Sequence, residues 1–231
     1  MRYRYLLMDN DNTLMDFDAA ERHALQEVLA QFGLPGDAET CALYHRINDT
    51  LWKALERGET TQAALKTERF VQLLSALGRS DLDGGGLGEA FSEALSHHAD
   101  LMPDAMRFLN AVHGRMKLAL VSNGIARVQR GRLARCPFAH MLDAVVISEE
   151  VGVRKPDPRM VTLALEKLGC EDAREAVLLG DSASADVAAA AAAGVDSIHL
   201  TKGEASPLAT WHAKGLMEAL EILGIREKQE K

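Results

Sequence analysis

The sequence predicts an α/β protein, a Rossmann-like parallel sheet core with an all-helical segment inserted after the first strand. Three observations predict it. Five short apolar runs, each ending in polar or turn residues, read as buried strands. Helical patterns lie between the later runs, and strands alternating with helices indicate βαβ units and a parallel sheet. Between the first run and the second, residues 16–97 show only three-to-four-residue apolar spacing and no convincing strand.

The first strand is "YRYLLMD", residues 3–9, which breaks at a cluster of acids and amides. The insert then predicts helices over 19–33, 41–58, 61–78 and 87–98, with Gly33, Gly58 and Gly78 placed as stops. "DLDGGGLG" (81–88) reads as a flexible loop within it. The remaining strands are "KLALVS" (117–122), "AVVIS" (144–148), "AVLLGD" (176–181) and "SIHL" (197–200). Helices are predicted over 159–169 and 184–194, the second through an alanine run that suits close packing. The charged tail 226–231 reads as frayed. The expected domains are a core of residues 1–15 and 98–231 and a helical insert of 16–97.

A chain of 231 residues makes one large domain or two modest ones. Its net charge of −8 disfavours a binder of nucleic acid polymers, which needs a basic footprint. Small phosphorylated ligands stay open, because one local cationic site suffices. Cys41, Cys136 and Cys170 form no CxxC pair, and an odd, scattered set suits a reduced compartment. The start carries no signal-peptide pattern, and no apolar run reaches the roughly 18 residues of a membrane span. The expectation is a cytoplasmic protein with no membrane partner.

Chemistry is concentrated where the strands end. The stretch "LLMDNDNTLMD" (6–16) places Asp9 and Asp11 two residues apart as an apolar strand emerges. Calcium binding, acid–base work and helix capping could each explain such a pair. An EF-hand loop from Asp9 would need Gly at its sixth position and Glu at its twelfth, where this chain has Leu14 and Ala20. Capping by Asp16 or Asp18 is natural but explains one carboxylate. The other strand ends carry Ser122–Gly124, Lys155 in "RKPDP", and Asp181 and Asp186 in "GDSASAD". In an open α/β sheet ligands bind at these carboxyl ends. Together they offer metal-binding carboxylates and a phosphate-binding cation.

In this order and on these strands, "DNDNT", "SNG", "RKP" and "GDSASAD" resemble the four motifs of the haloacid dehalogenase-like phosphohydrolases. The likeness includes the helical cap inserted after the first motif, so it spans nearly the whole chain. "ISEEVGVRKPDP" (147–158) and "LWKALERGETT" (51–61) are similar to the branch of house-cleaning pyrimidine 5′-nucleotidases.

The resemblance implies a magnesium-dependent phosphomonoesterase, with manganese as a substitute ion. Asp9 is its nucleophile and forms an aspartyl-phosphate. Asp11 protonates the leaving oxygen and then takes a proton from the hydrolytic water. The ion is held by the Asp9 and Asp181 carboxylates and the Asp11 carbonyl, with Asp186 in support. Asn10, Ser122, Asn123 and Lys155 bind phosphate, and Thr13 braces the loop. Asn12 stands where many relatives have Gly, a place Asn tolerates in left-handed backbone.

In the insert, Trp52 and, one turn before it, Asn48 are candidates for substrate contact. The expected substrate is small and phosphorylated, a nucleoside 5′-monophosphate and a pyrimidine one above others. A sugar-phosphate phosphatase or phosphomutase is the alternative on the same core, and a catalytically silent binding module is a remoter one. The residues leave open whether the protein is a monomer or a dimer.

Overall fold

The computed structural model describes residues 2–226, so the predicted tail lies outside the described residues apart from Arg226. The chain divides into two compact units. One comprises the stretch up to Phe17, residues 99–129 and the stretch from Leu133 onward; the other comprises 18–98 and 130–132.

The first unit is built on a parallel sheet. Its strands are β1 (Tyr5–Met8), β2 (Lys117–Ser122), β3 (Ala144–Ile147), β4 (Ala176–Gly180), β5 (Asp196–Leu200) and β6 (Trp211–Ala213). They run in the order β3-β2-β1-β4-β5-β6, and every neighbouring pair is parallel. The chain works outward from β1 to β3, then crosses back to β4. The switch point therefore falls between β1 and β4, where an open α/β sheet forms its ligand crevice.

Both faces of this sheet are covered, which is why its strands read as continuous apolar runs. Alternate side chains leave on opposite faces. Leu6, Met8, Leu118, Leu120, Val177 and Leu179 pack on one side with Phe108 and Leu109. Leu7, Ala119, Val121 and Leu178 pack on the other with Met160, Val161 and Ala164. The five predicted strands are present within two residues of their expected limits. β6 was not predicted: three residues, "WHA", with Trp211 exposed, carry too short a pattern to register.

The α-helices of the described residues, in order, are α1 (Phe17–Gln31), α2 (Ala38–Glu56), α3 (Gln62–Ala76), α4 (Gly84–His97), α5 (Ala105–Val112), α6 (Ala126–Arg135), α7 (Ser148–Val151), α8 (Arg159–Leu168), α9 (Ala188–Ala192) and α10 (Leu216–Ile222). A turn of π-helix, Ala183–Val187, precedes α9. Ala189 and Ala190 are fully buried, so the alanine run does pack closely, against the same face as Leu7.

The second unit is helical throughout its described secondary structure, α1 to α4. Asp37, Thr61 and Asp83 cap α2, α3 and α4 by accepting from backbone N–H groups of Thr40, Ala64 and Gly85. Gly33, Gly58 and Gly78 all take positive φ, the backbone that ends helices. Tyr44, Phe70 and Phe91 form its aromatic centre, with ring centroids 5.3 to 5.6 Å apart. Residues 130–132 join this unit through Arg132, whose Nε donates to the His98 carbonyl at 2.9 Å.

"DLDGGGLG" corrects the sequence reading. Only residues 81–83 of it lie outside a helix: α4 begins at Gly84, the first of the glycine triplet. Packing overrides propensity here. A Cβ at Gly88 would lie 2.5 Å from the Lys66 carbonyl oxygen, so glycine is what lets α4 approach the α3 backbone. Gly88→Ala is therefore expected to cost about 1–3 kcal/mol. A free helix position would instead gain up to about 1 kcal/mol from the same change. Urea denaturation reads the sign directly.

Candidate active site

The four strand-end motifs all lie in the first unit, and the structure gathers most of their side chains around the β1–β4 switch point. Asp9 follows β1 directly. Its N–H donates to the Leu179 carbonyl at 2.9 Å, continuing the ladder one residue past the strand. The chain then turns sharply. The Asn10 carbonyl accepts from Leu14 and Met15, and Asn12 N–H donates to the Met15 carbonyl at 2.7 Å. Asn12 takes φ 58°, the left-handed backbone its residue type tolerates. Its Oδ1 accepts from the Phe17 N–H at the start of α1, at 3.0 Å.

Lys155 is the centre of the charge arrangement. It is 2% exposed, and its Nζ reaches Asp9 Oδ1 at 2.5 Å, the Val121 carbonyl at 2.6 Å and Asp186 Oδ1 at 2.7 Å. The backbone of Lys155 is clipped by Asn123. The Asn123 amide donates to the Lys155 carbonyl and its Oδ1 accepts from the Lys155 N–H, both at 2.7 Å. "SNG" and "RKP" are thus locked together across the sheet edge.

Asp181 and Asp186 come from the far side of the switch point. Asp186 Oδ2 accepts from the Ser182 N–H at 3.0 Å. A Cβ at Gly180 would fall 2.3 Å from that oxygen, so the glycine of "GDSASAD" makes room for the second acid. Thr13 Oγ1 donates to Asp181 Oδ1 at 3.3 Å, so Thr13 braces Asp181. Ser122 Oγ is buried and has no hydrogen-bond partner among the described residues, the state expected of a hydroxyl whose partner is a ligand or water.

Two contributors were invisible in the sequence reading. His199 on β5 is buried; its Nδ1 accepts from the Ser206 N–H, so its Nε2 donates to the Asp181 carbonyl at 3.0 Å. Gln129 on α6 touches both Asn10 and Asp11. Neither lies in a motif, since residues on distant elements meet only through tertiary packing. Asn48 and Trp52 belong to the helical unit. Asn48 donates to Glu21 Oε1 at 2.9 Å and accepts from Arg69 Nη1 at 3.3 Å. Trp52 packs, half-buried, against Leu51, Leu55 and Leu65.

The electrostatics are unbalanced. Carboxylate oxygens of Asp9, Asp181 and Asp186 all lie within 4.8 Å of one another. Three carboxylates face one ammonium, which leaves an excess of two negative charges. Burial raises the Asp9 carboxyl well above the usual range; Lys155 opposes this, and Asp186, Asp181 and Asp11 add to it. Burial, then the Asp186 charge, push Asp181 up to about 6. Burial works against the Lys155 ammonium, but Asp186 and Asp9 overcome it and hold its pKa above the ordinary lysine value. Hard oxygen donors with a deficit of two positive charges fit a divalent ion such as magnesium.

Known proteins resemble the chain along its length. The family model for haloacid dehalogenase-like hydrolases matches residues 6–200. The pyrimidine 5′-nucleotidase YjjG of Escherichia coli is 31% identical over 227 residues, covering 96% of this chain and 99% of that one. The pyrimidine 5′-nucleotidase PynA of Streptococcus pneumoniae is 34% identical over 203 residues, covering 86% of this chain and 84% of its own. The solved structure of the HAD-hydrolase YfnB from Bacillus subtilis, bound to magnesium, superposes with a TM-score of 0.91 at 29% identity, covering 97% of this chain and all of that one. With a family match over most of its length and these relatives, the chain belongs to the haloacid dehalogenase-like hydrolases.

Proposed function

We propose that this enzyme is a magnesium-dependent phosphomonoesterase acting through an aspartyl-phosphate, with pyrimidine nucleoside 5′-monophosphates as its substrates. The observation that carries the reaction is the buried Asp9–Lys155 pair at the strand-switch point, beside the oxygens of Asp181 and Asp186. The substrate class rests on the likeness to the two nucleotidases.

Lys155 holds Asp9 Oδ1 and so fixes how the nucleophilic carboxylate is turned. Asp9 attacks phosphorus, and the bond from phosphorus to the leaving oxygen breaks as Asp11 gives that oxygen a proton. Water then attacks phosphorus, the bond from phosphorus to the Asp9 oxygen breaks to release phosphate, and Asp11 takes the water's proton. Lys155 and the Ser122 hydroxyl, with the Asn10 and Asn123 segments, are assigned the phosphoryl oxygens. Asp9 and Asp181, with the Asp11 carbonyl, are the residues that would hold magnesium, and Asp186 supports them. When bound, the ion supplies positive charge that shields the phosphoryl group from the attacking carboxylate. The helical unit is assigned the choice among substrates.

Phosphate release across a panel of nucleotides and sugar phosphates tests this. Pyrimidine 5′-monophosphates are expected to give kcat/KM values about 10-fold or more above purine nucleotides and sugar phosphates, a gap of about 1.4 kcal/mol. Excess EDTA silences the enzyme and added magnesium restores it. Preference for a sugar phosphate, or its isomerisation without phosphate release, moves the assignment to the alternative reading. Full turnover in the metal-free protein removes the metal from it.

A further inference from the structure

We propose that Gln129 is the positioning residue for Asp11, holding its carboxyl in the orientation from which it protonates the leaving group. The inference rests on the reading of Asp11 as proton donor. Gln129 is 2% exposed and stands in the first turn of α6, where its own N–H donates to the Ile125 carbonyl. Its Nε2 donates to Asp11 Oδ2 at 2.6 Å, and its Oε1 accepts from Asn10 Nδ2 at 2.5 Å. One side-chain amide therefore bridges two consecutive residues of the nucleophile loop, from an element more than a hundred residues away.

The chemistry of the groups orients this bridge. The amide turns its NH₂ toward Asp11 and its carbonyl toward Asn10, the pairing that suits the carboxylate Asp11 becomes after giving up its proton. Asn10 is fully buried and its backbone carbonyl anchors the turn, so its end of the bridge is held. With Oδ2 tied to Gln129, the Asp11 carboxyl is held in one orientation beside the nucleophile. In the first chemical step the Asp9–phosphorus bond forms, the phosphorus–alkoxy bond breaks, and a proton passes from the Asp11 carboxyl to the alkoxy oxygen. The carboxylate left behind keeps the Gln129 N–H as a donor, a charge-assisted bond stronger than the one to the neutral acid.

Room for this bridge is made by Gly124 of "SNG". A Cβ there would fall 2.5 Å from Gln129 Cγ and 2.6 Å from its Nε2. The α6 turn that carries Gln129 is fastened by Glu149, whose carboxylate accepts from the Ala126 N–H at 2.7 Å. The second motif thus reaches the nucleophile loop twice, through Asn123 to Lys155 and through Gly124 to Gln129.

The test compares leaving groups, because a misplaced acid matters only when the leaving oxygen needs a proton. With magnesium present, kcat/KM is measured for a nucleoside 5′-monophosphate, which expels an alkoxide, and for p-nitrophenyl phosphate, which expels a stable phenolate. Gln129→Met keeps the bulk and removes both hydrogen bonds. It should lower kcat/KM on the nucleotide about 30-fold, the scale of a small misplacement of a catalytic group, with about 3-fold or less on the aryl ester. Gly124→Ala, which displaces Gln129 without altering it, should give the same selective loss and serves if Gln129→Met does not fold. Equal loss on both substrates in these variants overturns the positioning role and leaves one of packing. Asp11→Asn is the control, expected to show a larger selective loss. If Asp11→Asn is unselective, the proton-donor reading itself fails and the inference falls with it.

Discussion

Asp9→Asn is expected to lower turnover about 10⁴-fold or more while the protein stays folded. The amide is nearly the same size as the carboxylate, so the tight site beside Leu179 is not disturbed. Its Oδ1 can still accept from Lys155. What it lacks is a nucleophilic oxygen with full charge, and no aspartyl-phosphate can form without one. The electrostatics sharpen the prediction. Asp9 is one of three clustered carboxylates facing a single ammonium. Neutralising it reduces the repulsion in the metal-free state, so the variant in EDTA should melt no earlier than the wild type. Phosphate release and thermal melts check the two halves separately. Retained turnover would remove Asp9 from the nucleophile role, and a folding defect would show that its charge is needed for the structure.

Lys155→Met should damage both activity and stability. The buried ammonium is held by Asp9, Asp186 and the Val121 carbonyl. Removing one member of a buried ion pair costs about 3–5 kcal/mol, because the partner charges stay behind unpaired. Loss of a cation at the phosphoryl oxygens should lower turnover about 10²–10³-fold.

The stability deficit should also depend on pH. Burial already raises the Asp9 carboxyl in the folded wild type, and Lys155 is the main influence pulling it down. Without Lys155 the folded carboxyls rise further above their unfolded value. An acid with a raised folded pKa binds its proton more tightly in the folded state, so stability is lost as pH climbs above the ordinary carboxylate range. The deficit relative to wild type, measured by urea denaturation in EDTA, should therefore be smaller at pH 5 than at pH 8. A deficit independent of pH would mean that lost packing, not unpaired charge, is what the variant suffers.

Much of this was legible in the residues. The strands were legible because a sheet covered on both faces needs unbroken apolar runs, and β1 to β5 have them. The helices of the insert were legible because one face of each is buried, and three of their stops are glycines with positive φ. "DLDGGGLG" misled because glycine signals flexibility in a free chain and close approach in a packed one, and only the α3 backbone beside Gly88 shows which applies. β6 escaped because a three-residue edge strand is specified by its neighbour β5 more than by its own pattern.

The candidate site divides along the same line. By itself the sequence determined which groups stand at the strand ends: acids after β1 and β4, a hydroxyl after β2 and a lysine past β3 are local choices, readable because each sits where its strand ends. Tertiary structure alone decided how those groups share charge and hold one another. That Lys155 bridges Asp9 and Asp186, that Asn123 clips the Lys155 backbone, and that Gln129 joins Asn10 to Asp11 are contacts between residues far apart in the chain. No local pattern encodes such pairs, because the chain brings them together only when helices and strands pack around the switch point between β1 and β4.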